Sequence, residues 1–140
     1  MIDNENIIRE IESGEFSLVA YYNVERVIAL KSSGIGALTK FVIANEIKLK
    51  KFKGLKIGDK IVGKASALLL LNFKLSFIYG STMSENAKKV LESRGIELKY
   101  KNLVPNILGK DRIDICPMEK LILDIDSPRE ALDIFKELFY

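Results

Sequence analysis

Three short segments hold the residue types that could do chemistry. The first is Asp59-Lys60-Ile61-Val62-Gly63-Lys64, where two lysines flank the opening turn of an expected helix and Gly63 would let a ligand approach the backbone. Unpaired N–H groups and the dipole at a helix start favour negative charge. Lys60, Gly63 and Lys64 therefore form a candidate site for phosphate or carboxylate. The spacing is not that of a Walker motif, and a surface lysine pair beside a packing glycine is the plain alternative. The second segment is Gly80-Ser81-Thr82-Met83-Ser84. The hydroxyls of Ser81 and Ser84 can bond a ligand, or simply cap the helix that follows. The third is Cys116-Pro117-Met118-Glu119. With Pro117 as the first helical residue, Cys116 is the N-cap, and a thiol at the positive end of a helix is placed to act as a nucleophile. Glu119, one turn on, opposes that role, and structural burial of the cysteine is the alternative.

The rest of the composition removes chemistry. The 140 residues include no histidine and one cysteine. A structural zinc site takes four nitrogen or sulfur ligands and a catalytic one usually three, so no metal is expected. Ser-His-Asp and Cys-His catalysis are excluded as well. Asp114, Asp124 and Asp126 lack the spacing of a calcium loop and read as a solvated acidic face. No cofactor is expected. A lone cysteine cannot close an intrachain disulfide, so a reducing cytoplasm is the expected compartment. The opening Met1-Ile2-Asp3-Asn4-Glu5 is polar and acidic, unlike a secretory signal. The apolar run Ala67 to Leu71 is far short of the roughly 20 residues that cross a bilayer, and no membrane partner is expected.

Charge is unevenly spread. Residues 31–112 carry 17 basic and 6 acidic side chains, a balance of +11, while residues 1–30 and 113–140 each carry −4. Lys48, Lys50, Lys51, Lys53, Lys56 and Lys60 form the densest basic run. Such a run can attract nucleic acid. With only Phe52 for base stacking it reads rather as a solvated surface.

The elements that must position these groups follow from periodicity, and they make one domain over residues 1–140. A first helix is expected from Asn4 to Ser13, with Ile7, Ile8 and Ile11 on one face and Gly14 ending it. Phe16 to Tyr22 and Arg26 to Lys31 read as a β-hairpin. Ser32 to Gly36 is a flexible bend, followed by a helix from Ala37 to Leu49 with Leu38, Phe41, Val42 and Ile47 inward. Lys50 to Gly58 reads as a lysine-rich loop. Asp59 then caps a buried helix, Ile61 to Leu71, apolar or small nearly all round. Phe73 to Tyr79 is the third strand. Ser84 caps the next helix, with Ala87, Val90 and Leu91 inward and Gly95 at its end. Ile96 to Tyr100 is the fourth strand, and Leu103 to Leu108 is a further extended stretch placed to pair at the sheet edge. Two Pro-initiated helices close the chain; the second, from the capping box Ser127-Pro128-Arg129-Glu130, buries Ala131, Ile134, Phe135 and Leu138. Alternating strands and helices imply an α/β class protein, a three-layer α/β/α sandwich with a mixed sheet.

One resemblance adds to this. Asp59-Lys60-x-x-Gly63-Lys64-Ala65-x-Ala67-Leu68, Ser84-x-x-Ala87, and Val104-Pro105-x-Ile107 followed by Cys116-Pro117-Met118-Glu119 resemble a small bacterial and archaeal family with a cytidine-deaminase-like fold and no catalytic zinc. The resemblance spans about residues 16 to 124. Zinc deaminases begin the buried helix with a ligand and a proton-shuttling glutamate and the next helix with Pro-Cys-x-x-Cys. Those positions fall at Gly63-Lys64-Ala65 and at Ser84 to Ala87 here, and the water-activating side chains are missing. The resemblance thus implies a vestigial pocket without zinc-dependent deamination. A small anionic or nucleotide-like ligand is the expected partner, held by Lys60, Gly63, Lys64, Ser81, Ser84, Cys116 and Glu119. Two alternatives stay beside it: a Cys116-dependent enzyme or redox thiol, and a nucleic-acid module using the Lys48–Lys60 run. Self-association also stays open.

Overall fold

A computed structural model describes residues 2–140. Helix α1 (Asn4–Glu12) starts at Asp3, whose carboxylate accepts from the Glu5 N–H at 3.1 Å. Strands β1 (Leu18–Tyr22) and β2 (Glu25–Leu30) form the expected hairpin, turned at Asn23 with a left-handed φ of 57°. Helix α2 (Ile35–Lys50) follows. Strand β3 (Lys53–Val62), helix α3 (Lys64–Leu70), strand β4 (Lys74–Ser84), helix α4 (Glu85–Ser93) and strand β5 (Glu97–Val104) come next. A loop then leads to the short α5 (Pro117–Leu121) and to α6 (Pro128–Phe139).

The sheet has five strands in the order β2-β1-β3-β4-β5, with β1 antiparallel to both neighbours and β3, β4 and β5 mutually parallel. This is a mixed sheet with helices, of the α/β class. Inward positions alternate along each strand, as a pleated sheet requires. Val19, Tyr21, Phe77 and Tyr79 face α1 and pack on Ile7 and Ile11. Leu18, Ala20, Leu55, Ile57 and Ile78 face the larger core formed with α2, α3, α4 and α6. Helix α3 is buried from Lys64 to Leu70, as its small and apolar composition requires.

Several boundaries depart from expectation for physical reasons. The stretch Lys50 to Gly58 is not a loop; most of it is the central strand β3. Its period-2 apolar series, Leu55, Ile57 and Ile61, is masked by the lysines between. Lys56 and Lys60 do not stand in open solvent: Lys56 Nζ donates to the Ile2 carbonyl (3.2 Å) and Asn4 Oδ1 (2.9 Å) at the start of α1. Asp59 is therefore a strand residue rather than a helix cap, and α3 begins at Lys64 after Gly63. Gly58 lies beneath α1, where a Cβ would come within 2.7 Å of both Ile7 and Ile11. Strand β4 runs on through Gly80-Ser81-Thr82-Met83, which was expected as a lead-in loop. Leu103 and Val104 end β5, and beyond them only Leu108 pairs, in an isolated bridge with Ile115. Ile47 and Leu138, expected inward, are exposed; Leu132 is buried in α6 instead. No helix among the described residues is long and apolar enough to cross a membrane.

Candidate functional site

A cavity of about 400 Å3 opens at the carboxyl end of β3. Ligand sites in α/β sheets gather at such strand ends, and the size suits a small molecule. Its walls come from the start of β1, the end of β2, the first turns of α2 and α3, and the first turn of α5. Leu18, Leu30, Leu38, Ile107 and Met118 give it an apolar lining. Two carboxyls, Asp59 and Glu119, and one thiol, Cys116, enter it.

Glu119 is the best fixed of these. Gly63 offers α3 no capping side chain. Glu119 supplies the missing acceptor: Oε1 accepts from the Lys64 N–H at 2.8 Å and Oε2 from the Ala65 N–H at 3.1 Å. Gly63 makes room for it, since a Cβ there would meet Glu119 Oε1 and Ile107 Cγ1 at 2.8 Å. Burial pushes the Glu119 carboxyl above its ordinary pKa, against the pull of the Ala65 and Lys64 N–H groups and the Lys64 ammonium. Asp59 stands on the same face of β3 as Leu55 and Ile57, half-buried at the cavity. Burial pushes its pKa up from 3.8 to about 7, while the backbone N–H groups of Ile61 and Lys60 act the other way. The cavity thus holds two carboxyls whose ionisation burial opposes, and Asp59 is able to accept a proton near neutral pH.

The residues singled out by sequence divide. Lys60, Gly63, Cys116 and Glu119 line this cavity. The Lys60 ammonium reaches toward the Gly14 carbonyl, 3.5 Å away at the end of α1. Lys64 gives only its backbone N–H to Glu119. Its side chain runs the other way, donating to the Leu123 carbonyl (2.8 Å) and pairing with Asp126 (3.2 Å). There it borders a second, smaller recess with Asn86 and Lys89. Ser81 lies on the α1 side of the sheet, where its hydroxyl donates to Glu12 (2.9 Å) beside the Tyr79 hydroxyl, which donates to the same carboxylate. Ser84 is buried, and its hydroxyl accepts from the Ala87 N–H at 3.1 Å. The anion-binding start of α3 is therefore filled by the protein's own Glu119 carboxylate, and Lys64, Ser81 and Ser84 do not converge on the cavity.

Sequence reading missed Asp59, taken for a cap, and Ser66, whose hydroxyl lines the cavity. It also missed Lys31, read as the end of a strand, and Ser32-Ser33-Gly34, read as part of a bend. The signal for Asp59 was its place in the alternation Leu55, Ile57, Asp59, Ile61. Neither the α3 start nor the α4 start offers an imidazole or thiol, so these positions do not fit a zinc ion. Among the described residues, no three His, Cys, Asp or Glu side chains group as a metal-ligand set. The Lys48–Lys60 run divides between the end of α2 and the central strand β3.

Comparison with known proteins agrees with the fold. No curated protein matches the chain. A crystal structure of a DUF1893 family protein (TM1506) from Thermotoga maritima is 31% identical and superposes with a TM-score of 0.81, covering 99% of this chain and 93% of that one. The family model TM1506, a domain of unknown function (DUF1893), matches residues 6–139. The chain with this carboxyl-lined cavity belongs to the DUF1893 family.

Proposed function

We propose that the protein binds a small nucleotide-like ligand in the cavity at the end of β3, on a cytidine-deaminase-like scaffold that has lost zinc-dependent deamination. The observation that carries this reading is the pair Asp59 and Glu119 in an apolar-walled space of about 400 Å3. A nucleobase edge presents adjacent N–H donors and ring-nitrogen acceptors. A carboxylate accepts from the former, and a carboxyl that retains its proton donates to the latter. Leu18, Leu38 and Ile107 supply flat apolar contact for a ring. Lys31 and Lys60 also line the wall, with their ammonium groups turned toward Phe16 and Gly14. The scaffold assignment is supported by α3 and α4 starting side by side from the parallel strands β3 and β4, at Gly63-Lys64-Ala65 and Ser84, where deaminases hold their metal. A reducing cytoplasm suits the free Cys116.

The test uses Cys116 as a reporter, since it is the sole cysteine and lines the cavity. A panel of nucleosides and nucleoside monophosphates is screened by thermal shift and by protection of Cys116 from iodoacetamide. A member that raises the melting temperature and slows alkylation, with both effects lost in Asp59→Asn, is the expected result. Stabilisation that leaves alkylation unchanged, or that survives Asp59→Asn, removes the ligand from this cavity.

The position of Cys116 favours one second reading, a thiol-dependent reaction in the same cavity. It predicts a covalent adduct at Cys116 when the protein meets electrophilic substrate analogues. An intact mass that never changes rejects it.

A further inference from the structure

We propose that the start of α2 is an oxyanion subsite of this cavity, in which a phosphate group is held by the first-turn N–H groups of α2 and the hydroxyls of Ser33 and Ser66. The proposal rests on the reading above and deepens it by assigning the anionic end of the ligand to the α2 wall of the cavity.

The backbone comes first. Helix α2 is 16 residues long and starts at Gly34, which has no side chain to cap it; no acidic residue stands in the first turn. The α1, α4 and α6 starts are capped by Asp3, Ser84 and Ser127, and the α3 start by Glu119. The Leu38 N–H bonds the Gly34 carbonyl in the usual helical way, but the N–H groups of Ile35, Gly36 and Ala37 find no partner among the described residues. Gly34 and Ile35 line the cavity, so these donors stand at its wall. Gly34 has a φ of 97°, and a Cβ there would meet nothing within 4 Å. The left-handed backbone thus demands glycine, while the surrounding space stays open.

The second observation is independent of the helix end. Ser66 of α3 is 7% exposed, more than nine-tenths buried, yet its hydroxyl makes no hydrogen bond among the described residues. A buried helical serine ordinarily bonds back to a carbonyl one turn earlier. Among the described residues no side-chain polar atom is both sealed from solvent and without a partner, so the Ser66 oxygen retains access to the cavity it lines. It is a polar group placed for a partner the chain does not provide.

The flanking lysines turn their ammonium groups toward the α1 side of the sheet. The Lys31 ammonium sits 5.9 Å from the centre of the Phe16 ring, and Lys60 Nζ is 3.5 Å from the Gly14 carbonyl. Neither forms an ion pair among the described residues. Both lysines line the cavity with Ser32 and Ser33.

The test is a titration of the full chain with inorganic phosphate, followed by amide NMR against chloride at matched ionic strength. Saturable shifts confined to the Ser33–Ala37 amides are expected, weakened about tenfold in Ser66→Ala, the loss of one hydrogen bond to a charged group. Ser33→Ala is the second variant, and it should weaken binding in the same sense. A nucleoside monophosphate should bind at least tenfold tighter than its nucleoside. Shifts that never saturate, or that spread over lysines elsewhere, overturn the subsite, as does phosphate binding unchanged in both variants. If nucleosides bind and phosphate does not, the subsite fails and the ligand-binding reading stands. If phosphate saturates these amides while no nucleoside or nucleotide is bound, the subsite stands and the nucleotide reading fails.

Discussion

Replacing Asp59 by asparagine should stabilise the protein, and only above mildly acidic pH. Burial moves the Asp59 carboxyl from 3.8 to about 7. Below pH 3.8 the carboxyl is protonated whether the chain is folded or not, and it contributes no difference. Between 3.8 and 7 the unfolded chain gives up the proton while the folded chain keeps it. The folded state then binds more protons, so stability falls as pH rises through this window. Above 7 the loss is complete and constant. The full shift corresponds to about 4 kcal/mol. Asp59 is only half-buried at the cavity, and water there reduces the figure to about 2 kcal/mol. Asparagine keeps the shape and cannot ionise. Urea denaturation of wild type and Asp59→Asn at pH 4 and pH 8 isolates the effect, because titrations common to both chains cancel. The variant should be about equal to wild type at pH 4 and about 2 kcal/mol more stable at pH 8. A difference that does not change with pH, or that reverses sign, would show that Asp59 ionises freely and would refute the desolvated-carboxyl account of the cavity.

Three further outcomes follow from the same geometry. Glu119→Ala should cost about 1–2 kcal/mol in denaturation, the usual loss of a helix cap, because it strands the Lys64 and Ala65 N–H groups. Ser66→Ala should leave stability unchanged or slightly raised in the absence of ligand, since it deletes a hydroxyl that has no partner; a loss above about 1 kcal/mol would reveal a hydrogen bond inside the fold. Gly58→Ala should destabilise by about 1–3 kcal/mol and raise hydrogen exchange across α1, because the added Cβ meets Ile7 and Ile11 at 2.7 Å; protection of α1 unchanged from wild type would contradict that packing.

Much of the scaffold was legible in the sequence. Asp3, Ser84 and Ser127 cap helices by strong local chemistry, and the Ile7/Ile11 and Ala131/Phe135 stripes report which faces are buried. The central strand was not legible, because lysine is read as solvated when it interrupts a short apolar alternation. Here Lys56 is turned along the sheet to bond the start of α1, a contact 52 residues distant in sequence that no local pattern encodes. The candidate site was half legible for a related reason. Local reasoning located the helix starts but not what fills them. The lysine chosen for its charge, Lys64, sends its ammonium to Leu123 and Asp126, while a carboxylate from α5 occupies the position an anion was expected to take. Ser81 went astray through one strand extension: once β4 continues past Tyr79, alternation carries Ser81 to the α1 side. The long helix with an unfilled start lay instead at Gly34, where the absence of a capping residue is the visible signal.

The bond from Glu119 back to Lys64 spans 55 positions. One side of the cavity is thereby contributed by a part of the polypeptide made long after the strand and helix it completes. During synthesis, a nascent chain that has emerged only as far as β5 has its sheet partners but neither Cys116 nor Glu119 to close the space. Closing so long a loop carries an entropic cost that the contacts it brings must outweigh. Any binder of this cavity would therefore engage only chains that have finished folding, and would act as a selective stabiliser of the last folding step.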